Sequence, residues 1–163
     1  MNTFQIINIL KNDQAIQQIF HGVFPIDKLP SIIYKPAALV INLDKSKQPG
    51  SHWVCMYFDK KGGCEYFDSF GRKPQKKLIN YMSKYVKQIK YNKKCMQKLL
   101  TATCGQYCIY YLIWRCRGVY MKQILQSLNK NYADEFVTGF VNSLFKINTD
   151  EVDEEFIINQ ICN

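Results

Sequence analysis

At 163 residues the chain has room for one compact domain, large enough to bury a core without disulfide or metal staples. Hydrophobic residues make up 47% and aromatics 14%, which excludes a disordered chain, and eight Gly with five Pro exclude a fibrous or low-complexity one. A net charge of +9, from 22 Lys+Arg against 13 Asp+Glu, suits a polyanion or an acidic partner. The longest apolar run, Tyr107 to Trp114, is too short to cross a bilayer. The first twenty residues lack the basic start, apolar stretch and cleavage site of a secretory signal. The expectation is a monomer that is neither secreted nor membrane-bound.

Phe4, Ile7 and Leu10, then Ile16, Ile19 and Phe20, recur at helical spacing and predict two short helices broken near Asn12-Asp13, with Asp13 capping the second. Gly22, Pro25 and Pro30 mark a loop. Ala37 to Leu43 is a continuous apolar run, read as a buried strand, and Lys45 to Ser51 is a turn. His52 to Phe58 and Cys64 to Asp68 alternate around Lys60-Lys61-Gly62-Gly63 and predict a β-hairpin.

After Pro74 the pattern predicts a basic amphipathic helix, with Leu78, Met82, Tyr85 and Ile89 inward and Lys76, Lys77, Lys84 and Lys87 outward. Tyr91 to Leu99 reads as a further strand. Cys104 to Arg117 is apolar almost all round and predicts a buried central helix ended by Gly118. Helices follow over Val119 to Leu128, Asp134 to Phe145 and Glu151 to Ile161. Helices, a mostly antiparallel sheet, then helices is an α+β pattern, with no repeat or linker dividing residues 1–163.

Seven cysteines cannot all pair within the chain, and without an export signal most should be buried thiols. A cysteine can still matter as a metal ligand or as a nucleophile. Cys104 and Cys108 are spaced C-x₃-C, but both fall on the apolar helix and no second close pair with His accompanies them, so no metal is expected.

The chain has two histidines, His21 in the predicted loop and His52 at the head of a strand. A catalytic His needs an orienting acceptor and a nucleophile in reach. In an antiparallel hairpin the start of one strand faces the end of the next, so Asp68 should neighbour His52. Cys104, followed by Gly105, opens the buried helix, where the helix dipole and unpaired N–H groups favour thiolate. Gly105 permits close approach of a substrate backbone, Trp53 can wall the site, and Gln97 is a candidate second donor beside the Cys104 N–H for an oxyanion.

Gly50-Ser51-His52-Trp53, Tyr66-Phe67-Asp68-Ser69-Phe70-Gly71, Gln97 and Thr103-Cys104-Gly105-Gln106-Tyr107-Cys108 together resemble the adenovirus maturation protease (adenain-like) cysteine peptidases. Members of that family occur in adenoviruses, virophages and virus-like DNA transposons, and the segment from Phe20 to Pro30 is similar to its N-terminal part. The resemblance implies a small papain-like α+β fold with His52 as base, Asp68 as its orienter, Cys104 as nucleophile and Gln97 as oxyanion donor. It also implies cleavage of capsid and core precursors at small, Gly-rich sites, in the virion and the infected cell. No cofactor is required on this reading, with DNA or a viral activating peptide as the conceivable accessories.

Asp68-Ser69 is closer to the related proteases that process ubiquitin-like modifiers, whereas Phe70-Gly71 and the Gln97 spacing side with the viral branch. A SUMO-type deconjugating protease is therefore the alternative. A non-catalytic DNA-binding module is the second. Fourteen Lys/Arg and no acid lie between Ser69 and Ala133, which fits sequence-independent DNA binding through Lys76, Lys77, Lys84 and Lys87.

Overall fold

The computed structural model describes residues 1–129 and 131–145. Five strands lie in the order of the sequence: β1 (Phe20–Pro25), β2 (Ala37–Asn42), β3 (Trp53–Phe58), β4 (Gly63–Phe67) and β5 (Gln88–Tyr91). The helices are α1 (Thr3–Asn12), α2 (Lys76–Met82), α3 (Cys104–Cys116), α4 (Met121–Ser127) and α5 over residues 133–145. The sequence-predicted helix over Glu151 to Ile161 lies outside the described residues. Among the described residues, no helix is long and apolar enough to cross a membrane.

The α+β class is as expected, but the sheet is mixed. Its two central pairings, β2–β3 and β3–β4, are antiparallel, while β1–β2 and β4–β5 are parallel. The parallel edges arise because β2 and β5 each follow a crossover segment rather than a tight turn.

β2 and the centre of β3 are buried on both faces, which explains why Ala37 to Ile41 reads as an unbroken apolar run. Ala38, Val40 and Cys55 face α1 and α3, while Leu39, Ile41, Met56 and Phe58 face Leu78, Tyr81 and Met82 of α2. Phe67 stacks on Tyr111 with ring centroids 4.5 Å apart. α3 is the central helix: Tyr107 to Ile113 is an unbroken buried stretch, and side chains of this size contribute about 1.5–3 kcal/mol each when fully buried.

Five local expectations differ. Residues 14–19 form a turn rather than a second helix: the Asp13 carboxylate accepts the Ala15 N–H (3.0 Å), so Asp13 closes a turn and not a helix start. The segment read as a loop around Gly22 and Pro25 is β1, an edge strand that tolerates both residues. α1 buries Ile6, Ile9 and Leu10, leaving Phe4 on the surface.

The fourth concerns the basic helix, which stops at Met82. Tyr81 and Tyr85 donate their hydroxyls to the carbonyls of Pro30 and Ser31, so the apolar series 78, 82, 85 continues through a turn, not a helix. Lys84 and Lys87 consequently leave the face that carries Lys76 and Lys77. In the fifth, the strand expected over Tyr91 to Leu99 does not form: β5 ends at Tyr91, and residues 92–100 are irregular.

Candidate active site

His52 stands one residue before β3. Its carbonyl accepts the Leu43 N–H (3.0 Å), which keeps the residue in ladder register beyond the strand's end. Asp68 follows the last residue of β4, on the neighbouring strand. His52 Nε2 donates to Asp68 Oδ1 at 2.7 Å, and both side chains are buried. Phe70 covers the imidazole, ring centroids 5.0 Å apart, and the Arg72 guanidinium lies over the Phe70 ring, 4.8 Å from its centroid.

Asp68 is fixed by more than its histidine. Oδ1 also accepts the Phe70 N–H (2.9 Å), and the Gly71 N–H closes the turn onto the Asp68 carbonyl (2.8 Å). Gly71 has φ +67°, and a Cβ there would stand 2.6 Å from the Lys94 backbone, so the turn requires glycine. Asn92 then grips the Asp68 backbone from both sides: its Oδ1 accepts the Asp68 N–H (2.9 Å) and its Nδ2 donates to the Asp68 carbonyl (2.6 Å).

Cys104 is the first residue of α3 and faces His52 from the helical layer. Nε2 is committed to Asp68, so Nδ1 is the nitrogen left to hydrogen-bond the Cys104 sulfur. Burial opposes the imidazolium, but the bonds and charges of Asp68 and Cys104 overcome it and raise the His52 pKa to about 9. Burial likewise pushes the Cys104 thiol up. The His52 hydrogen bond, the Trp53 N–H, the imidazolium charge and the Gly105 N–H outweigh it and hold the thiol below its ordinary value. Cys108 has no such support, and burial among Cys55 and other groups pushes it well up. Burial also drives Cys116 to about 12.

Gln97 is buried seven residues before Cys104. Its Oε1 accepts the Ser69 hydroxyl (2.7 Å) and its Nε2 donates to the Thr101 carbonyl (2.6 Å), which fixes the carboxamide and leaves one N–H uncommitted by these bonds. Asp134 of α5 organises the segment between Gln97 and Cys104. Its buried carboxylate accepts the Lys98 N–H (3.0 Å) and the hydroxyls of Thr101 and Thr103. Asn92, Ser69 and Asp134 are the supporting residues that sequence reasoning missed.

Gly105 is buried, and the close approach it permits is made by the chain itself: a Cβ would meet Met1 at 3.1 Å and Trp53 at 3.4 Å. Trp53 Nε1 donates to the Met1 carbonyl (3.2 Å) and its ring lines a cleft of about 480 Å³ with Asn42, Gly50 and Phe24. His21 lies apart from these groups, on β1, bonded to the Tyr34 carbonyl. Among the described residues no group of three His, Cys, Asp or Glu side chains gathers as metal ligands. The four lysines divide. Lys76 and Lys77 remain on α2, whereas Lys84 and Lys87 join Lys35 and Lys61 around a separate groove.

No protein-family profile matches the chain. Cysteine protease S273R of African swine fever virus is 28% identical over 120 residues, an alignment covering 66% of this chain and 43% of that protein. A candidate thiol protease of Acanthamoeba polyphaga mimivirus, R355, is 35% identical over 103 residues, covering 56% of this chain and 34% of the relative. The chain thus spans less than half the length of these two relatives. The crystal structure of the African swine fever virus pS273R protease superposes with a TM-score of 0.60 at 19% identity, covering 88% of this chain and 67% of that one. ChlaDub1 of Chlamydia trachomatis superposes at 0.51 with 18% identity, covering 87% and 77%. The chain therefore has a cysteine-protease fold, its curated relatives include viral cysteine proteases, and a His52–Asp68 pair meets Cys104 where its sheet abuts its central helix.

Proposed function

We propose that the chain is a viral cysteine endopeptidase of the adenain-like kind, acting on capsid and core precursor proteins in the virion and the infected cell. The observation that carries this reading is the geometry that sets Cys104, at the first turn of α3, beside a buried His52 bonded at 2.7 Å to buried Asp68. The Cys104 thiolate attacks a peptide carbonyl. The Cys104 N–H, unpaired at the start of α3, and the free N–H of the Gln97 carboxamide receive the oxyanion. His52 delivers its Nδ1 proton to the leaving amine, then takes a proton from the water that hydrolyses the acyl-enzyme. Asp68 keeps the ring turned and the imidazolium stabilised throughout. The chemistry calls on no metal or organic cofactor; DNA or a viral peptide enters only as an accessory.

Co-expression with capsid precursors and mass-spectrometric mapping of the cuts tests the reading. Cuts at small, Gly-rich sites that vanish with Cys104→Ala support it. Precursors left intact beside rapid hydrolysis of SUMO conjugates would move the chain to the deconjugating branch. A specific observation favours that second reading: further isolates of African swine fever virus name the same relative a SUMO-1 cysteine protease.

Gln97→Ala is expected to lower kcat by roughly 10²–10³ with little change in KM, as when one oxyanion donor is lost. Steady-state kinetics on a fluorogenic peptide decide, and an unchanged kcat would give the role to another group.

The basic surface is proposed to tether the enzyme to DNA without reading sequence. Phosphate-driven binding weakens steeply with salt, log K falling by about 0.9 per phosphate neutralised for each decade of salt. Replacing Lys76, Lys77, Lys84 and Lys87 with Gln should flatten that slope in fluorescence anisotropy and leave hydrolysis of a short free peptide nearly unchanged. Salt-independent anisotropy of the unmodified protein would end the tethering idea, leaving the protease reading in place.

A further inference from the structure

Met1 sits beside the nucleophile, where the proposed chemistry gives it no part. A Cβ placed on Gly105, the residue after Cys104, would stand 3.1 Å from Met1 Cβ and 3.5 Å from its sulfur. The Trp53 ring reaches the same point at 3.4 Å. Carbon atoms in ordinary contact are about 3.5–4.0 Å apart, so no methyl group fits over residue 105.

The placement is firm. The Met1 carbonyl accepts the Trp53 indole N–H (3.2 Å). Asn2 caps α1 in both directions: its side chain accepts the Gln5 N–H (2.9 Å), and its own N–H donates to the Gln5 carboxamide (3.0 Å). α1 in turn buries Ile6, Ile9 and Leu10 in the core that α3 shares. The atom nearest Gly105 is a Cβ, which the backbone places whatever rotamer the thioether adopts.

Met1 and Trp53 also line the cleft of about 480 Å³ that runs past Phe24 and Asn42. They therefore stand between that cleft and the first turn of α3. A polypeptide lying in the cleft must cross them to set a carbonyl on the Cys104 sulfur. The cleft has room for side chains, but at the crossing that space is already filled.

We propose that Met1 is a specificity-determining residue: with Trp53 it walls the crossing, so that only a residue without a bulky side chain is accepted immediately before the scissile bond. This inference rests on the protease reading and gives selection by size a cause within the chain. A plug that substrate pushes aside would need a loose terminus, and the cap on Asn2 denies it one.

The test is the rate of Cys104 alkylation by two peptidyl chloromethyl ketones that differ only in carrying Gly or Leu next to the reactive ketone. Native protein, Met1→Gly and Met1→Leu are each released from an N-terminal fusion by a protease that leaves no added residue. Native protein should prefer the glycyl probe by roughly 10–200-fold, the scale on which a pocket discriminates by size. The preference should fall about tenfold or more in Met1→Gly, through faster labelling by the leucyl probe, and persist in Met1→Leu. An unchanged preference in Met1→Gly overturns the proposal, and so does equal acceleration of both probes, the sign of a plug. Hydrolysis of a fluorogenic peptide is measured in parallel. Labelling ratios that follow residue 1 in a protein that cleaves nothing would keep the wall and end the protease reading. Cleavage with ratios that ignore residue 1 would do the reverse, and if neither probe labels Cys104 in any of the three proteins, both fall.

Discussion

Cys104→Ala is expected to abolish labelling by a thiol-directed inhibitor and to lower peptide hydrolysis by roughly 10⁴–10⁶-fold, the scale on which a triad nucleophile is lost. Cys108→Ala should leave labelling intact. Cys108 is fully buried four residues further along α3, its thiol is pushed up by burial, and its loss costs packing only. Active-site titration with mass mapping of the labelled peptide distinguishes the two. A label on Cys108 or Cys116 would show that the site has been assembled in the wrong register.

Asp68→Asn should have the second largest effect, lowering kcat by up to roughly 10⁴-fold while the protein remains folded. The amide can keep a hydrogen bond to His52 Nε2 but supplies no charge for the imidazolium. The His52 pKa, raised to about 9 in the native protein, should fall, and with it the upper pH limit of the thiolate–imidazolium pair. The sign for stability follows from the same shift. His52 is raised from 6.5, so its contribution is complete below that value and is lost as pH rises through about 9. The Tm gap between the native protein and Asp68→Asn should therefore be wide near about pH 6 and narrow by about pH 10. A gap that is constant with pH would mean that Asp68 holds His52 by shape alone.

What the sequence revealed of this site, and what it concealed, follows from the range of the interactions. The His52–Asp68 pair was legible because a hairpin converts a spacing along the chain into a neighbour across two strands. α3 was legible because an apolar run interrupted on no side must be enclosed on all sides. Asn92, Ser69 and Asp134 were not. Each is a lone polar residue whose partner is fixed only when an irregular segment folds back, as Asn92 does onto the Asp68 backbone and Asp134 onto Thr101 and Thr103. The misread second helix shows the converse. Ile16, Ile19 and Phe20 have helical spacing, yet Phe20 belongs to β1, whose pairing with β2 outweighs a short local preference. Lys84 and Lys87 were placed on a helix face because periodicity cannot see where tyrosine hydroxyls anchored to Pro30 and Ser31 end the helix.

The division of the site between two layers has a consequence for the life of the chain. His52 and Asp68 belong to the sheet, and Cys104 to the helix that packs on it. During synthesis the sheet residues emerge first, and the sulfur arrives as an ordinary thiol on an undocked segment. Only the seating of α3 against β3 brings imidazole and sulfur together and, on the proposed function, turns that thiol into a nucleophile. The nascent protein is in this sense unarmed, and completion of its tertiary structure is the step that arms it.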